Sequence, residues 1–522
     1  MQYLKRNIAI ISIVLIFLLL NNLSYIAGFI YAHQNHLFYT GLSPVNAGDY
    51  LVYISNIEQG RQGHIFLQNL FDTQSQHGTL FSPHWYIMGQ AGRWLNLSNV
   101  SIYHIFRIIF SLIFISTLWW WIKKIFISQK SRCLALAFVL FSSNFIYLFS
   151  PIMYKLNIGP SSLWIFESNT FTNMFCGPHF ILSQSILLLI FALFIKNLQK
   201  TSIKKIIYLH LLFALLIFMH PYDGVIVLFV CSILTLSKYL ENKNINYFYH
   251  LASLFVSLGI LGLYYLWALQ DPGLYAHHLQ NITKSPNFWS YFFGFGWLLI
   301  IGLLGSIYII QKTSNEYLKL LAYWALAGLI MVYLPINFNR RLANGWHIAL
   351  SMITIYCLII IYQKIQWSKK FVVLPILFMI FSFDTLVVSI NNDRIEKNIR
   401  HIINWSPNFI KNYDLVKNNS IATDNILAPA SDGSILAAFA GRKIYAGHEM
   451  QTGHFLEKQK IAKAVLTSKK NILPWLKENN IQYIFATRYN ASYFSELTWL
   501  QDEKYLEPIV QNNNAVFYRV KF

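Results

Sequence analysis

Apolar runs of about twenty residues alternate with short polar stretches from residue 8 to residue 390, after which the pattern changes. Runs of that length match the roughly 30 Å of hydrocarbon that a membrane-spanning helix must cross. Eleven spans are predicted, over 8–30, 102–122, 133–150, 179–195, 206–219, 224–240, 247–269, 291–310, 318–335, 346–363 and 371–390. The fifth and sixth are short and share the turn His220-Pro221-Tyr222-Asp223-Gly224, which predicts a tight hairpin. The first run is too long for a cleavable signal peptide and offers no small-residue cleavage site. A large loop, 31–101, follows it. Within this loop Tyr50, Val52, Tyr53, Ile54 and Ile57 predict a short amphipathic helix after Asp49, and Trp85, Tyr86, Ile87, Met88, Trp94 and Leu95 predict another. Aromatic-rich pieces of this kind are expected along the plane of the membrane interface.

Beyond residue 390 the periods become those of a water-soluble domain. Ile426, Leu427 and Ala428 read as a strand, as do the runs 443–446 and 482–486. Stretches 434–440, 455–466 and 473–478 read as helices, and 507–510 with 515–520 as a hairpin. The predicted fold class is an α-helical polytopic membrane domain (1–390, including the first loop) followed by an α/β domain (391–522).

Composition agrees with the spans. Only 12% of the 522 residues are charged and 55% are hydrophobic, against about 25% charged in soluble proteins. A net charge of +20 would suggest nucleic acid until it is mapped along the chain. The N-terminus and every second loop carry seventeen basic residues against Glu241 and Glu316 alone, whereas the tail carries seventeen against twelve. This is the asymmetry that retains Lys and Arg on the cytoplasmic side, and it removes the nucleic-acid reading. With an odd number of spans, the first loop and the tail are expected outside the cytoplasm. Cys133, Cys176, Cys231 and Cys357 lie in or beside apolar spans, so neither a disulfide framework nor a zinc site of cysteines is indicated.

The unusual polar groups fall on the face opposite the lysines. They are Asn46 to Asp49, Phe81 to Trp85 with His84, Glu167 to Thr170 with His179, His220 to Asp223, and Asn337 to Arg341; in the tail, His448 and Glu449 join them. Such segregation predicts one site at the outer membrane surface. Two readings stand for Asp49: a helix N-cap, which is a common use of Asp, or a functional carboxylate held at headgroup depth. Likewise, Arg340 and Arg341 are either interfacial anchors or ligands for an anion. His84, His179 and His220 either bond a substrate or are interfacial histidines with backbone partners.

Several short motifs resemble the GT-C glycosyltransferases, multi-span enzymes that take sugars from polyprenyl-phosphate carriers. They are Ala47-Gly48-Asp49-Tyr50 with Gly63; Phe338-Asn339-Arg340-Arg341; Leu427-Ala428-Pro429; and the stretch from Gly441 to His448 with Thr452 and Lys458. The layout of a large acid-bearing first loop, later spans and a soluble tail resembles the same superfamily, in an uncharacterised bacterial branch. The resemblance implies a bacterial plasma-membrane enzyme with a polyprenyl-phosphate sugar as donor. The acceptor would be a glycolipid, a polysaccharide or a protein, and membrane lipids would surround the enzyme.

Sugar transfer with inversion needs a base near the incoming hydroxyl and fixed positive charge near the leaving phosphate. Asp49 is the candidate base and Glu167 the second. Arg340 and Arg341 are the candidate phosphate ligands, because a guanidinium presents a planar fork that keeps its charge when desolvated. Tyr50, His84, His179, His220 and His448 are candidate substrate contacts. Many members carry paired acids in the first loop, whereas Asp49 has no acidic neighbour. An Mg2+ or Mn2+ ion held by Asp49 would therefore need phosphate oxygens and water as its other ligands. Two rival classes remain at this stage, a flippase for lipid-linked sugars and a non-catalytic envelope-assembly protein with the same layout. A flippase is expected to carry internal repeats and mid-membrane polar groups, and neither is conspicuous here.

Overall fold

A computed structural model describes residues 2–42, 47–142, 146–364, 404–467, 471–487, 500, 503–511 and 515–522. The chain forms two compact units. The first comprises Met1–Ile26, Ile105–Leu263 and Thr283–Glu396; the second comprises Ala27–His104, Tyr264–Ile282 and Lys397–Phe522. The first loop, expected to belong with the membrane helices, thus clusters with the tail.

The first unit is helical. Six helices among the described residues are long and apolar enough to cross a membrane, and the pair Phe288–Phe295 and Trp297–Lys312 makes a seventh if counted as one bent span. The chain is an integral membrane protein. The pair bends by 93° at Gly296, whose combination of φ +54° and ψ −128° only glycine adopts without strain. Helices Ile203–Met219 and Glu316–Met331 occupy two further expected spans with 17 and 16 residues, each about 25 Å long at 1.5 Å per residue. The expected third span is not continuous. Its first helix, Gln129–Phe141, stops at Ser142, whose backbone is extended and whose hydroxyl and carbonyl are engaged by His347 and Ser351. The eleventh expected span, 371–390, lies outside the described residues.

Helix Pro178–Gln199 is the centre of this unit, with 83% of its apolar stretch buried, whereas Asn246–Ala268 has only 17% buried and leaves Ile260, Leu263 and Leu266 exposed. Trp121 and Trp346 lock the central helices because each buries a large ring and still finds an acceptor for its N–H. Trp121 Nε1 donates to the Leu188 carbonyl at 3.0 Å and Trp346 Nε1 to that of Ala325 at 2.8 Å. The buried Arg107 clamps the N-terminal helix Gln2–Gln34. Its guanidinium donates to Asn21 Oδ1 and the Met174 carbonyl, each at 3.0 Å, bonds Asn22, and stacks 4.5 Å above the Tyr25 ring.

The second unit is α/β. Its sheet contains β1 (Asn425–Leu427), β2 (Lys443–Ile444), β3 (Tyr483–Thr487), β4 (Leu506–Gln511) and β5 (Ala515–Val520), in the order β2-β1-β3-β5-β4. The first three strands run parallel, and β5 is antiparallel to both β3 and β4. Pro508 is accommodated because β4 is an edge strand with a bulge at that point. Leu427, Leu466, Leu476, Ile484 and Val516 form the core beneath the sheet. The strands expected in the tail lie within a few residues of those of the sheet, and the expected helices within a few residues of Ala430–Ile435 with Leu436–Ala440, Phe455–Thr467 and Leu473–Glu478; helix Pro407–Asn419 is a further element without a sequence counterpart.

Helix Ala47–Arg61 of the first loop is buried from Tyr50 to Ile54 and again from Ile57 to Gly60. It packs on helix Pro83–Trp94 through glycines: an added Cβ at Gly89 would stand 2.2 Å from the Arg61 amide nitrogen, and one at Gly60 2.5 Å from the Trp85 carbonyl. The apolar face of this helix, expected to face the membrane, is therefore covered by protein. An apolar stripe has the same period whether lipid or protein covers it, and here protein does.

Candidate functional site

Two clusters gather most of the residues singled out above, one in each unit. In the second unit, Asp49 stands in the first turn of helix Ala47–Arg61, where the helix dipole favours negative charge. His448 lies on the turn after β2, and its Nε2 is 3.3 Å from Asp49 Oδ1. The Asp49 side chain is 34% exposed and the His448 side chain 10%. Room for the imidazole comes from Gly48, where an added Cβ would stand 3.1 Å from Nε2. Phe71 meets the ring edge to face at 6.1 Å.

The motif residues flanking His448 fasten this turn to the first loop. Thr452 Oγ1 donates to the Phe71 carbonyl at 2.7 Å, the Gly453 N–H donates to Asp72 Oδ2 at 2.9 Å, and Lys458 Nζ pairs with Asp72 Oδ1 at 2.6 Å. Asp72 and Glu58 are structural acids. Glu58 is buried against Lys417 and Asn99; burial raises its pKa, but Lys417 and the hydrogen bonds outweigh that and hold it below the ordinary range. Arg442 is likewise structural, with its guanidinium bonded to Ser420 and to the carbonyls of Lys417 and Ala440.

In the first unit, Arg341 pairs with Glu167. Glu167 occupies a short 3-10 turn, Phe166–Ser168, and is buried; Arg340 and Arg341 occupy another, Asn339–Ala343. The Arg340 guanidinium lies 5.2 Å from the centre of the Trp164 ring, and that of Arg341 5.8 Å from Phe180. Burial pushes the Glu167 carboxyl up, but the charges of Arg341 and Arg340 more than offset it and hold it below the ordinary carboxylate range. A carboxylate so held is a poor proton acceptor and a good counter-ion.

His220 Nδ1 is 2.8 Å from Asp223 Oδ1, and the Asp223 carboxylate also accepts from Asn344 Nδ2 at 2.9–3.0 Å. Asn344 in turn contacts Ser183 and Gln184, which completes a buried polar network across three helices. The sequence reading missed Asn344, although it follows the arginine pair by only three residues. His179 is buried at the N-terminus of helix Pro178–Gln199 with its ring 4.1 Å from that of Phe180.

Two further candidate substrate contacts, Tyr50 and His84, are buried in the second unit. Tyr50 is 1% exposed and donates its hydroxyl to the Thr40 carbonyl at 3.0 Å, and its ring meets Tyr103 at 4.7 Å. His84 is buried with its ring 4.6 Å from Trp85. Among the described residues, no three His, Cys, Asp or Glu side chains come together as a metal-binding group.

No protein-family model matches the chain, and no curated protein matches it in sequence. Solved structures do match. The apo oligosaccharyltransferase of Archaeoglobus fulgidus superposes with a TM-score of 0.54 at 11% identity, over 95% of this chain and 72% of that one. ArnT from Cupriavidus metallidurans bound to undecaprenyl phosphate superposes with a TM-score of 0.52 at 10% identity, over 98% of this chain and 97% of that one. At such identities the likeness is one of fold alone, the fold that these two solved structures share with this chain.

Proposed function

We propose that the protein is a membrane glycosyltransferase that moves a sugar from a polyprenyl-phosphate carrier to an acceptor hydroxyl on the outer side of the membrane, with inversion. The acceptor oxygen forms a bond to the anomeric carbon while the bond from that carbon to the carrier phosphate breaks. The hydroxyl proton passes to the Asp49 carboxylate, and the bonding electron pair leaves on the phosphate oxygen. Arg340 and Arg341 bind the phosphate, where negative charge grows in the transition state. Glu167 serves as the counter-ion that orients Arg341, a role that suits its burial and depressed pKa better than that of a base. A divalent ion such as Mg2+ or Mn2+ at Asp49 would draw its remaining ligands from phosphate oxygens and water.

The observation that carries this reading is a partly exposed carboxylate on the first-loop helix of a chain with the GT-C fold. The fold alone would not specify the chemistry. The test is Asp49→Asn in the full-length protein in lipid vesicles, assayed with undecaprenyl-phosphate-linked hexoses and pentoses and a panel of glycolipid, polysaccharide and peptide acceptors. Transfer is expected to fall 10²- to 10⁴-fold while the carrier still binds. Transfer unchanged by Asp49→Asn overturns the assignment of the base. Translocation of the lipid-linked sugar without transfer establishes a flippase instead.

A further inference from the structure

The place of His448 raises a question that the proposed reaction leaves open: what a tail residue contributes to a carboxylate 399 positions earlier in the chain. Its two ring nitrogens answer it. The Met450 backbone N–H donates to Nδ1 at 3.1 Å. A nitrogen that accepts a hydrogen bond carries no proton, so the neutral ring bears its hydrogen on Nε2. Nε2 is the atom 3.3 Å from Asp49 Oδ1. Each nitrogen thus has a polar neighbour, a backbone amide at Nδ1 and the carboxylate at Nε2. The carboxylate is the more exposed of the two side chains, 34% against 10%.

We infer that His448 is a positioning residue for Asp49, supplied by the tail: its Nε2–H fixes the orientation of the carboxylate that accepts the acceptor's proton. This replaces a direct sugar contact as the role of His448, and it rests on the reading of Asp49 as the base. A separation of 3.3 Å is long for such a bond, as unliganded enzymes commonly show before substrate tightens the site.

The surroundings are built to hold the ring still. The His448 carbonyl accepts from the N–H groups of Gln451 and Thr452 at 3.0 and 2.9 Å, which closes the turn. Asn69 Nδ2 donates to the Gln451 carbonyl at 2.6 Å, and His277 Nδ1 lies 2.9 Å from that of Met450. With the Thr452, Gly453 and Lys458 contacts already described, the turn is tied to both loop segments of its unit. On this reading the Gly441–His448 stretch carries a residue that completes the first-loop acid, and the tail is more than a structural cap.

The experiment compares wild type, His448→Ala, His448→Phe and His448→Gln as full-length protein in lipid vesicles, with the undecaprenyl-phosphate sugar and acceptor that show transfer. A Gln side chain can present an N–H close to the Nε2 position; Ala and Phe cannot. Ala and Phe are expected to lower kcat about 30- to 100-fold with KM for donor and acceptor changed less than about threefold, as befits a misplaced catalytic group. Gln is expected to recover activity to within about fivefold of wild type. Thermal melting of each variant separates loss of the fold from loss of position. A rise in acceptor KM with kcat unchanged overturns the inference in favour of a sugar contact. A Gln variant no better than Phe at equal melting temperature overturns it too. If Asp49→Asn abolishes transfer and His448→Ala does not, only this inference fails; if Asp49→Asn leaves transfer intact, the reading beneath it fails.

Discussion

Replacing Glu167 by Gln discriminates most sharply between two uses of a buried acid. The Glu167 side chain is 2% exposed and pairs with Arg341, whose side chain is only 17% exposed. Removing its charge while keeping its shape leaves the guanidinium with little water and a neutral partner. Breaking a buried pair in this way costs about 3–5 kcal/mol, and the Gln amide oxygen can still accept a bond, so about 3 kcal/mol is expected. For a unit of about 300 residues the unfolding entropy is roughly 0.6 kcal/mol/K, so melting should fall by about 5 °C. The sign of the pH dependence follows from the pKa. Glu167 is held below its ordinary value of 4.5, so its contribution is fully present above about pH 4.5 and is lost as pH falls through the folded value. Wild type and Glu167→Gln should differ at pH 7 and converge under acid. The assay is thermal melting of detergent-solubilised protein between pH 3.5 and 7.5, with transfer measured alongside at pH 7. As a counter-ion Glu167 should affect kcat less than tenfold; as the base it would lower kcat 10²- to 10⁴-fold. A variant as stable as wild type at pH 7, with its transfer lost, would refute the counter-ion argument.

The remaining predictions concern how the second unit holds its acid in place. Lys458→Ala strands the fully buried Asp72 carboxylate, keeping only its N–H bonds, and should destabilise this unit by about 3 kcal/mol. Limited proteolysis between the first loop and the tail would detect this, and unchanged protection would contradict it. Gly89→Ala forces a Cβ to within 2.2 Å of the Arg61 amide. It should cost upwards of about 1–3 kcal/mol through displacement of helix Ala47–Arg61, with transfer lowered along with melting temperature. Wild-type melting of the Gly89→Ala protein would show that the two helices separate more easily than their packing implies.

How far the fold was legible depended on whether the signal was local. Hydropathy located the helices because each span must satisfy its own backbone bonds in lipid, which makes the requirement one of consecutive residues. The same holds for the tail, where turn residues and alternation marked the elements of the sheet. Burial of helix Ala47–Arg61 was not legible, because Tyr50 and Ile54 carry the same apolar signal whether lipid or protein covers them. The lone Asp49 and distant His448 were each conspicuous, yet nothing local joined them. Nor could the pairing of Glu167 with Arg341 be read from residues 174 positions apart.

The sequence by itself thus determined that the chain enters a membrane, where most of its described long helices lie, and which polar residues are out of place in so apolar a chain. Tertiary structure decided which of those residues meet, which are buried, and that the first loop folds with the tail. The physical reason is range. Hydrophobic length and backbone satisfaction act along the chain, whereas a carboxylate acquires its role from charges and donors that only folding brings within a few ångströms.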